Sequence, residues 1–216
     1  MIKPDSAKPL SGIRKAPVQA RAQATVETIF DATARIVENE GEGALTTNRI
    51  ARDAGFSIGT LYQYFPSKEA VVLAMLKRER DRALADLQTL LDDAVAARQP
   101  VRDVVRELVR LLIRSFGGES ASRRRFIRLG WRIDHHDTIT QALRDGAERN
   151  AMALSQLLQA TGESGVRPPD PVMMFVVTRA MMGAIRSAAL EDSALLGTPA
   201  FEAELLRLAW GLLRSD

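Results

Sequence analysis

A serine between two glycines is the first candidate for chemistry in this chain. The segment GFSIG at residues 55–59 fits the pattern Gly-x-Ser-x-Gly, in which an α/β hydrolase exposes its nucleophile. That role requires a β-strand before the serine, because the strained turn from strand to helix exposes the hydroxyl. Residues 47–53 have helical spacing instead and lack the β-branched enrichment of a buried strand. A serine hydrolase using Ser57 therefore remains only as an alternative, and we expect a protein that is not an enzyme.

The two histidines of the chain are adjacent, in the segment Asp134-His135-His136-Asp137. Neighbouring residues on a helix point about 100° apart, so this pair lacks the i, i+4 spacing of helical metal ligands. A helix boundary capped by one of the aspartates is favoured over a metal site. The chain contains no cysteine, which excludes disulfides and the usual structural zinc sites. We expect no metal and no cofactor.

The composition is that of a soluble helical protein. Of 216 residues, 46% are hydrophobic, 26% charged and only 5% aromatic, and alanine, leucine and arginine are frequent, which favours helices over sheets. The chain starts without the apolar segment of a signal peptide. Its longest apolar runs, residues 70–76 and 171–177, are much shorter than a membrane span. We therefore expect a cytoplasmic protein with no membrane partner.

Apolar spacing and helix-breaking residues predict an all-α fold of about nine helices without strands. The predicted helices cover residues 18–40, 48–54, 57–64, 67–97, a stretch from Pro100 to the break at 117–120, and residues 121–133, 137–160, 171–190 and 199–213. The second and third of these are very short. Thr47 and Ser57 are the expected N-caps of these two helices, and Gly55 can adopt the left-handed conformation that ends the first.

Two short helices joined by a glycine-containing turn are the arrangement that places a second helix in the DNA major groove. Helical spacing turns Leu61 and Phe65 of that second helix inward. The residues that face outward are Gly59, Thr60, Gln63 and Tyr64. Gln63 can bond adenine, Thr60 can bond a base or a phosphate, and Gly59 permits close backbone approach. An ordinary solvated helix face is the alternative.

The positive charge of the chain is concentrated at its N-terminal end. The formal net charge is +3, and residues 1–26 alone carry an excess of four positive charges. The charged residues there are Asp5, Lys3, Lys8, Arg14, Lys15 and Arg21. This segment can contact an anionic polymer such as DNA, or it can be a solvated tail.

Two blocks of sequence, TTNRIA at residues 46–51 and AGFSIGTLYQYFPSKE at residues 54–69, strongly resemble the DNA-binding domain of the TetR family of transcriptional repressors. The resemblance covers about residues 20–80. It implies a recognition helix over residues 57–64 and a phosphate contact from Lys68, whose charge would act beside free backbone N–H groups. The DNA contacts predicted in this way are Thr47, Asn48, Ser57, Ile58, Gly59, Thr60, Tyr62, Gln63, Tyr64 and Lys68. Family members often carry arginine in place of Asn48, so the operator sequence does not transfer.

The chain is expected to contain a flexible basic arm (1–17), a helix-turn-helix domain (18–81) and an effector-binding and dimerisation domain (82–216). The helices predicted at 171–190 and 199–213 are apolar on more than one side, which favours a four-helix interface between two copies. The predicted interface residues are Val176, Ala180, Gly183, Ala184, Ala188, Leu205, Leu208 and Leu212. Such a homodimer would read two half-sites of a palindromic double-stranded operator. The family resemblance implies the same dimer.

The family resemblance also implies a small-molecule effector that binds in the second domain and shifts the fourth helix. Methionine and aromatic residues line adaptable apolar cavities, and each can equally be plain core. The candidates are Phe116, Phe126, Trp131, Met152, Met174, Phe175 and Met182. The arginines at 123–125, 128 and 132 could bind an anionic effector or pair with acidic residues between the domains, but a solvated helix face is favoured. A DNA-binding protein without an effector, or one that needs a corepressor, is the alternative function.

Overall fold

The computed structural model describes residues 16–118, 120–133 and 136–215. Over these residues the chain forms nine α-helices and one short 3-10 helix (Glu42–Ala44), with no β-strand, which confirms the all-α prediction. Val166 and Arg214 form an isolated antiparallel bridge. The helices are α1 (Ala16–Glu40), α2 (Thr47–Asp53), α3 (Ile58–Tyr64), α4 (Lys68–Ala96), α5 (Val101–Ser115), α6 (Ala121–Ile133), α7 (His136–Thr161), α8 (Pro171–Leu190) and α9 (Pro199–Leu213).

Side-chain caps explain why the C-terminal helices begin where they do. Asp170 caps α8 by accepting hydrogen bonds from the backbone N–H groups of the second and third helical residues, at 3.0 and 2.9 Å, and Pro171 occupies the first helical position. Thr198 caps α9 by accepting one hydrogen bond, from the Phe201 N–H at 3.2 Å. Pro100 offers no side-chain cap to α5, and the carboxylate of Glu163 accepts the Val101 N–H at 2.9 Å instead.

The buried residues form two hydrophobic cores. The N-terminal core joins α1, α2, α3 and the first turns of α4, and the C-terminal core joins the rest of α4 to α5, α7, α8 and α9. The helix α4 contributes to both, with Val71 and Val72 in the N-terminal core and Leu87 and Leu91 in the C-terminal core. The two cores are therefore connected by one continuous helix.

The helix α6 packs on α1, α4 and α8 and lies at the junction of the two cores. Phe126 and Leu129 pack against the N-terminal core, whereas Trp131 packs against the C-terminal core. Gly130 allows α6 to approach α4 closely, because a Cβ at this position would overlap the Leu76 side chain. Movement of α6 is thereby coupled sterically to α4.

Four of the five arginines of α6, all except Arg125, form ion pairs with acidic groups on other elements, so these four are paired rather than simply solvated as predicted. Asp192, in the turn after α8, accepts hydrogen bonds from Arg124 and Arg128, with nitrogen–oxygen distances of 3.1 and 2.8 Å. These hydrogen bonds lower the pKa of Asp192. Asp192 itself has a positive φ of 54°, a conformation that aspartate and asparagine adopt more readily than most residues.

The same helix is tied to the N-terminal part of the chain. Arg123 forms an ion pair of 2.8 Å with Glu79 on α4, and Arg132 forms an ion pair with Glu42 in the 3-10 helix. Arg125 donates a longer hydrogen bond, of 3.4 Å, to a backbone carbonyl near the end of α1. Charges on one short helix therefore bridge elements of both cores, which supports the interdomain pairing considered as an alternative from the sequence.

Among the described residues, α8 is the one helix long and apolar enough to cross a membrane, by length and composition alone. Met173, Val177, Met181 and Ile185 of this helix are buried in the C-terminal core, where α8 packs against α7 and α9. Packing inside the chain therefore accounts for much of its apolar composition.

Candidate DNA-binding face and internal cavity

The turn between α2 and α3 has the geometry that the sequence predicts, apart from one cap. Thr46, rather than Thr47, is the N-cap of α2, and its Oγ1 accepts the Arg49 N–H at 3.1 Å. The reason is that Thr46 has an extended backbone, whereas Thr47 is already helical. Gly55 has a φ of 75°, in the left-handed region, and so turns the chain from α2 towards α3.

Ser57 is committed to capping α3. Its Oγ accepts the backbone N–H of Thr60 at 3.1 Å and lies 2.9 Å from the Thr60 hydroxyl. The residues before it form the helix α2 rather than a strand, so the context that a serine nucleophile elbow requires is missing.

The outer face of α3 is exposed and mixes polar and aromatic groups. Tyr62 is 53% exposed, Ile58 and Tyr64 are less so, and Gln63 is also exposed. Leu61, on the opposite side, is fully buried. The helix is thus anchored by its inner face, and its outer face is available for a ligand.

The side chains of α2 extend this exposed face. The hydroxyl of Thr47 lies 3.4 Å from that of Tyr62, and Asn48 is exposed. A Cβ added to Gly59 would approach only Ser57 Oγ, at 3.7 Å, so the backbone of α3 is open to close approach at this point. The structure therefore brings the start of α2 and the outer side of α3 together, as the sequence predicts.

Lys68 lies in the first turn of α4, beside the N-cap Ser67, whose Oγ accepts the Ala70 N–H at 3.2 Å. The Lys68 ammonium donates a hydrogen bond of 2.9 Å to the Leu45 carbonyl, in the loop before α2. An ammonium has three N–H donors, so two stay available. The phosphate contact of Lys68 stays a prediction.

Arg49 connects α2 to the end of α1 through ion pairs, a role that was not predicted from the sequence. It forms ion pairs with Glu40 at the end of α1, at 2.5 Å, and with Asp53 at the end of α2, at 2.8 Å. The hydrogen bond from Arg49 is the main cause of a lowered pKa at Asp53. The i, i+4 spacing of Arg49 and Asp53 was a signal that could have revealed this pair.

The C-terminal core contains a cavity of about 520 Å³ that is lined by residues of all helices from α4 to α9, a volume typical of small-molecule sites. Four of the seven predicted pocket residues line it: Phe116, Trp131, Met174 and Met182. Aliphatic side chains of α4 and α5, such as Leu84, Leu87 and Val105, form another large part of the wall. Composition alone did not distinguish these leucines and valines from ordinary core.

The other three predicted pocket residues lie elsewhere. Phe126 packs on the N-terminal core, which contains residues of α1 and α4 but none of α8. Met152 and Phe175 are among the most exposed large hydrophobic residues of the described chain. The Asp134-His135 part of the acidic and histidine segment is outside the described residues, and α7 begins at His136.

The predicted dimer residues are divided between an exposed face and the core. Val176 and Leu208 are exposed apolar side chains, Gly183 is exposed, and Ala180, Ala184 and Leu212 are half-buried. Ala188 and Leu205 are buried in the C-terminal core of their own chain, because they face the neighbouring helices. Val172 and Phe175 add to the exposed apolar area of α8.

Two capped short helices, a left-handed glycine between them and an exposed face on the second helix form a helix-turn-helix, the arrangement by which many proteins place a helix in the DNA major groove. Residues 29–75 match the family model of bacterial regulatory proteins of the TetR family. This match covers the second half of α1, the helix-turn-helix and the start of α4. The TetR resemblance predicted for this segment is therefore confirmed.

Among curated relatives, the HTH-type transcriptional regulator EthR of Mycolicibacterium smegmatis is 30% identical over 119 residues. The match covers 55% of this chain and 48% of EthR, so the chain spans about half the length of that relative.

Solved structures of other proteins share the fold over nearly the whole chain. The fatty acid degradation regulator FadR from Bacillus halodurans has a TM-score of 0.64 at 18% identity, covering 89% of this chain and 97% of FadR. A complex of SmeT with triclosan has a TM-score of 0.63 at 22% identity, covering 90% of this chain and 93% of SmeT. SmeT is the repressor of a multidrug efflux pump of Stenotrophomonas maltophilia.

Proposed function

We propose that this chain is a cytoplasmic transcriptional repressor that binds a palindromic operator as a homodimer and is released by a small molecule in the internal cavity. The observation that carries the proposal is the course of α4. This helix begins beside the candidate DNA-binding face at Lys68, and its later residues, Leu84, Leu87 and Leu91, form a wall of the cavity. A ligand that displaces this wall can therefore move the helix-turn-helix.

The relatives support the two halves of this proposal. EthR carries the name of a transcriptional regulator, and SmeT is a repressor for which a complex with triclosan has been solved. Allosteric coupling between two such sites is typically worth about 1–3 kcal/mol.

We assign the DNA contacts to residues around α2 and α3 that are exposed or half-buried. Gln63 and Thr60 would bond base edges, Gly59 would allow close approach, and Lys68 would bind phosphate. The remaining members of the proposed set are Thr47, Asn48, Ser57, Ile58, Tyr62 and Tyr64. Seven helical residues in α3 can make few base contacts, which is why a second copy is needed.

The proposed dimer would use the exposed parts of α8 and α9. Val172, Phe175 and Val176 give α8 an apolar outer surface, and Leu208 adds to it on α9. Small residues beside them, at Ala180, Gly183 and Ala184, permit close helix packing. Two copies related by a twofold axis would place their recognition helices on half-sites about one helical turn apart.

The test is selection of bound fragments from random double-stranded DNA by the purified full chain. We expect an enriched palindrome with half-sites about 10 base pairs apart. Repeating the selection with Gln63→Ala should relax the preference at one base position in each half-site, with a cost of about 1–3 kcal/mol for the preferred base. Failure to enrich any sequence would contradict the proposal.

A further inference from the structure

We propose that the cavity takes an amphipathic anion, with an apolar body and one carboxylate or similar acidic head group. This inference rests on the proposed function only for the ligand's role as effector. The chemistry of the cavity wall carries the ligand class.

The first observation is a group of buried polar atoms with no hydrogen-bond partner. Within the described chain there are five such side-chain atoms, and four of them belong to residues that line the cavity. They are Arg149 Nε and Asn150 Oδ1 on α7, and Thr178 Oγ1 and Arg186 Nε on α8. Buried polar groups are normally satisfied, so their concentration on the wall of one cavity indicates that a ligand supplies missing partners.

The burial of Thr178 strengthens this point. Thr178 is one of the two buried polar or charged residues in the described part of the chain, and it is only 8% exposed. A hydroxyl and an amide can each donate or accept, so Thr178 and Asn150 can adapt to an acidic group. The helices α7 and α8, which carry the four residues, pack against each other.

The second observation is the charge of the wall. Its acidic residue, Glu79, is already paired with Arg123 at 2.8 Å and with Arg82 at 3.1 Å. Arg149 and Arg186 form no ion pair with any described residue. The charged residues of the wall are Glu79, Arg80, Arg149, Arg179 and Arg186. The wall therefore has an excess of positive charge, which favours an anion and disfavours a cation.

The guanidinium of Arg186 is held in position for such a contact. Its central carbon lies 5.3 Å from the centre of the Trp131 ring, within the range of a cation–π interaction. An arginine fixed in this way can bind both oxygens of a carboxylate through parallel hydrogen bonds.

The third observation is the apolar character of the rest of the wall. Leu84, Leu87 and Leu91 of α4 and Val105 and Leu108 of α5 face the same space. A small inorganic anion would leave this apolar surface uncovered, and a neutral apolar ligand would leave the arginines unpaired. A ligand with an apolar body and one acidic end would cover the apolar wall and also pair with the arginines.

Calorimetric titration of the full chain without DNA tests the ligand class. Decanoate, decan-1-ol and decyltrimethylammonium have the same alkyl chain and differ in the charge of the head group. We expect decanoate to bind about tenfold or more tightly than the alcohol, because hydrogen bonds to charged groups are stronger than neutral ones, and the cation to bind most weakly. Equal affinity for the acid and the alcohol, or a preference for the cation, would overturn the proposal.

Substitutions locate the head group. Arg149→Gln and Arg186→Gln should each weaken decanoate binding by about tenfold and leave binding of the alcohol nearly unchanged. Arg144→Gln is the matched control, since Arg144 lies on the exposed side of the same helix as Arg149 and outside the cavity wall. Decanoate affinity that is insensitive to both cavity substitutions would contradict the assignment. The comparison of the three probes on the unmodified chain decides the ligand class even where a variant does not fold.

Operator binding in the presence of decanoate separates this proposal from the proposed function. If decanoate releases the chain from the operator, both the proposed ligand class and the proposed function are supported. Tight decanoate binding without any change in operator affinity keeps the ligand class and contradicts the effector role. A chain that binds no operator at all contradicts the proposed function but leaves the calorimetric result intact.

Discussion

Two glycines four residues apart have different roles in the helix-turn-helix. Gly55 has a positive φ, and a Cβ there would meet no atom within 4 Å. Glycine is therefore needed at this position for its backbone conformation and not for lack of space. Gly59 has ordinary helical geometry within α3 and also has space for a Cβ. The first glycine therefore serves the fold, and the second is a candidate for contact with DNA.

Gly55→Ala should destabilise the chain by about 1–2 kcal/mol, the cost of a left-handed conformation for an L-residue. Gly59→Ala should stabilise it slightly, by at most about 1 kcal/mol, and yet weaken operator binding, because the new methyl group occupies the face that approaches the DNA. Urea denaturation and fluorescence anisotropy with labelled operator measure the two effects. Unchanged operator affinity in Gly59→Ala would argue against close approach at this residue.

Lys68 provides a second prediction at the scale of single residues. Lys68→Ala should weaken binding to all DNA sequences alike and reduce the slope of log K against log salt by about 1. Lys77→Ala is the control, because Lys77 is on the same helix and pairs with Asp81 at 2.6 Å. If both variants keep the original slope, the phosphate assignment of Lys68 is wrong.

Among the elements, α6 has the most unexpected role. Its arginines bind Glu79 on α4, the 3-10 helix after α1 and the turn after α8. Exposed ion pairs contribute only about 0.2–1 kcal/mol each, so these pairs orient α6 more than they stabilise it. The helix is a second physical link between the cavity and the helix-turn-helix, beside α4.

The ion pairs of Asp192 with Arg124 and Arg128 predict that the stability of the chain depends on pH. Because hydrogen bonds from Arg128 and Arg124 lower the pKa of Asp192, its contribution to stability is present above the unfolded pKa of about 3.9 and is lost as the pH falls through the lower folded value. Asp192→Asn keeps the shape and tolerates the positive φ. The unmodified chain should therefore be more stable than the variant at neutral pH, by less than about 1 kcal/mol, and this difference should shrink below about pH 4.

Denaturation at several pH values measures this difference. In an Arg128→Gln background the effect of Asp192→Asn should be smaller, since one of the two partners is already absent. A difference that is constant from neutral to acidic pH would show that the carboxylate charge is not involved.

For the whole molecule, the question is how two copies associate. Helices α8 and α9 expose apolar side chains at Val172, Phe175, Val176 and Leu208, and exposed apolar patches commonly mark protein–protein contacts. A dimer through this surface would leave α3 of each copy free for DNA. The internal cavity, which lies between α4 and these helices, would then be close to the interface.

Leu208→Glu should convert the dimer into a monomer, because it places a charge in an apolar interface, and should weaken operator binding with it. Leu73→Glu is the matched control. Leu208 is 40% exposed and Leu73, on α4, is 36% exposed, so the two substitutions have similar costs within the monomer. Sedimentation equilibrium measures the association, and an unmodified chain that is monomeric at micromolar concentration would refute the dimer.

Local interactions explain what could be predicted from the sequence alone. The helices at 121–133, 171–190 and 199–213 agree with the prediction residue for residue, since caps, prolines and apolar spacing act within one or two turns of the chain. The helix-turn-helix followed from the same kind of signal at Gly55 and Ser57. Even the cap that was misplaced by one residue, at Thr46, lies within this local range.

The tertiary structure alone decided which residues share a space. Phe126 and Trp131 lie on one helix and are of similar chemistry, yet one packs on the N-terminal core and the other lines the cavity. The partners of the α6 arginines and the unpaired polar atoms of α7 and α8 could not be inferred either. These features depend on which helix faces meet across 40 or more residues of chain, and that choice is made by the packing of the whole core rather than by any local pattern.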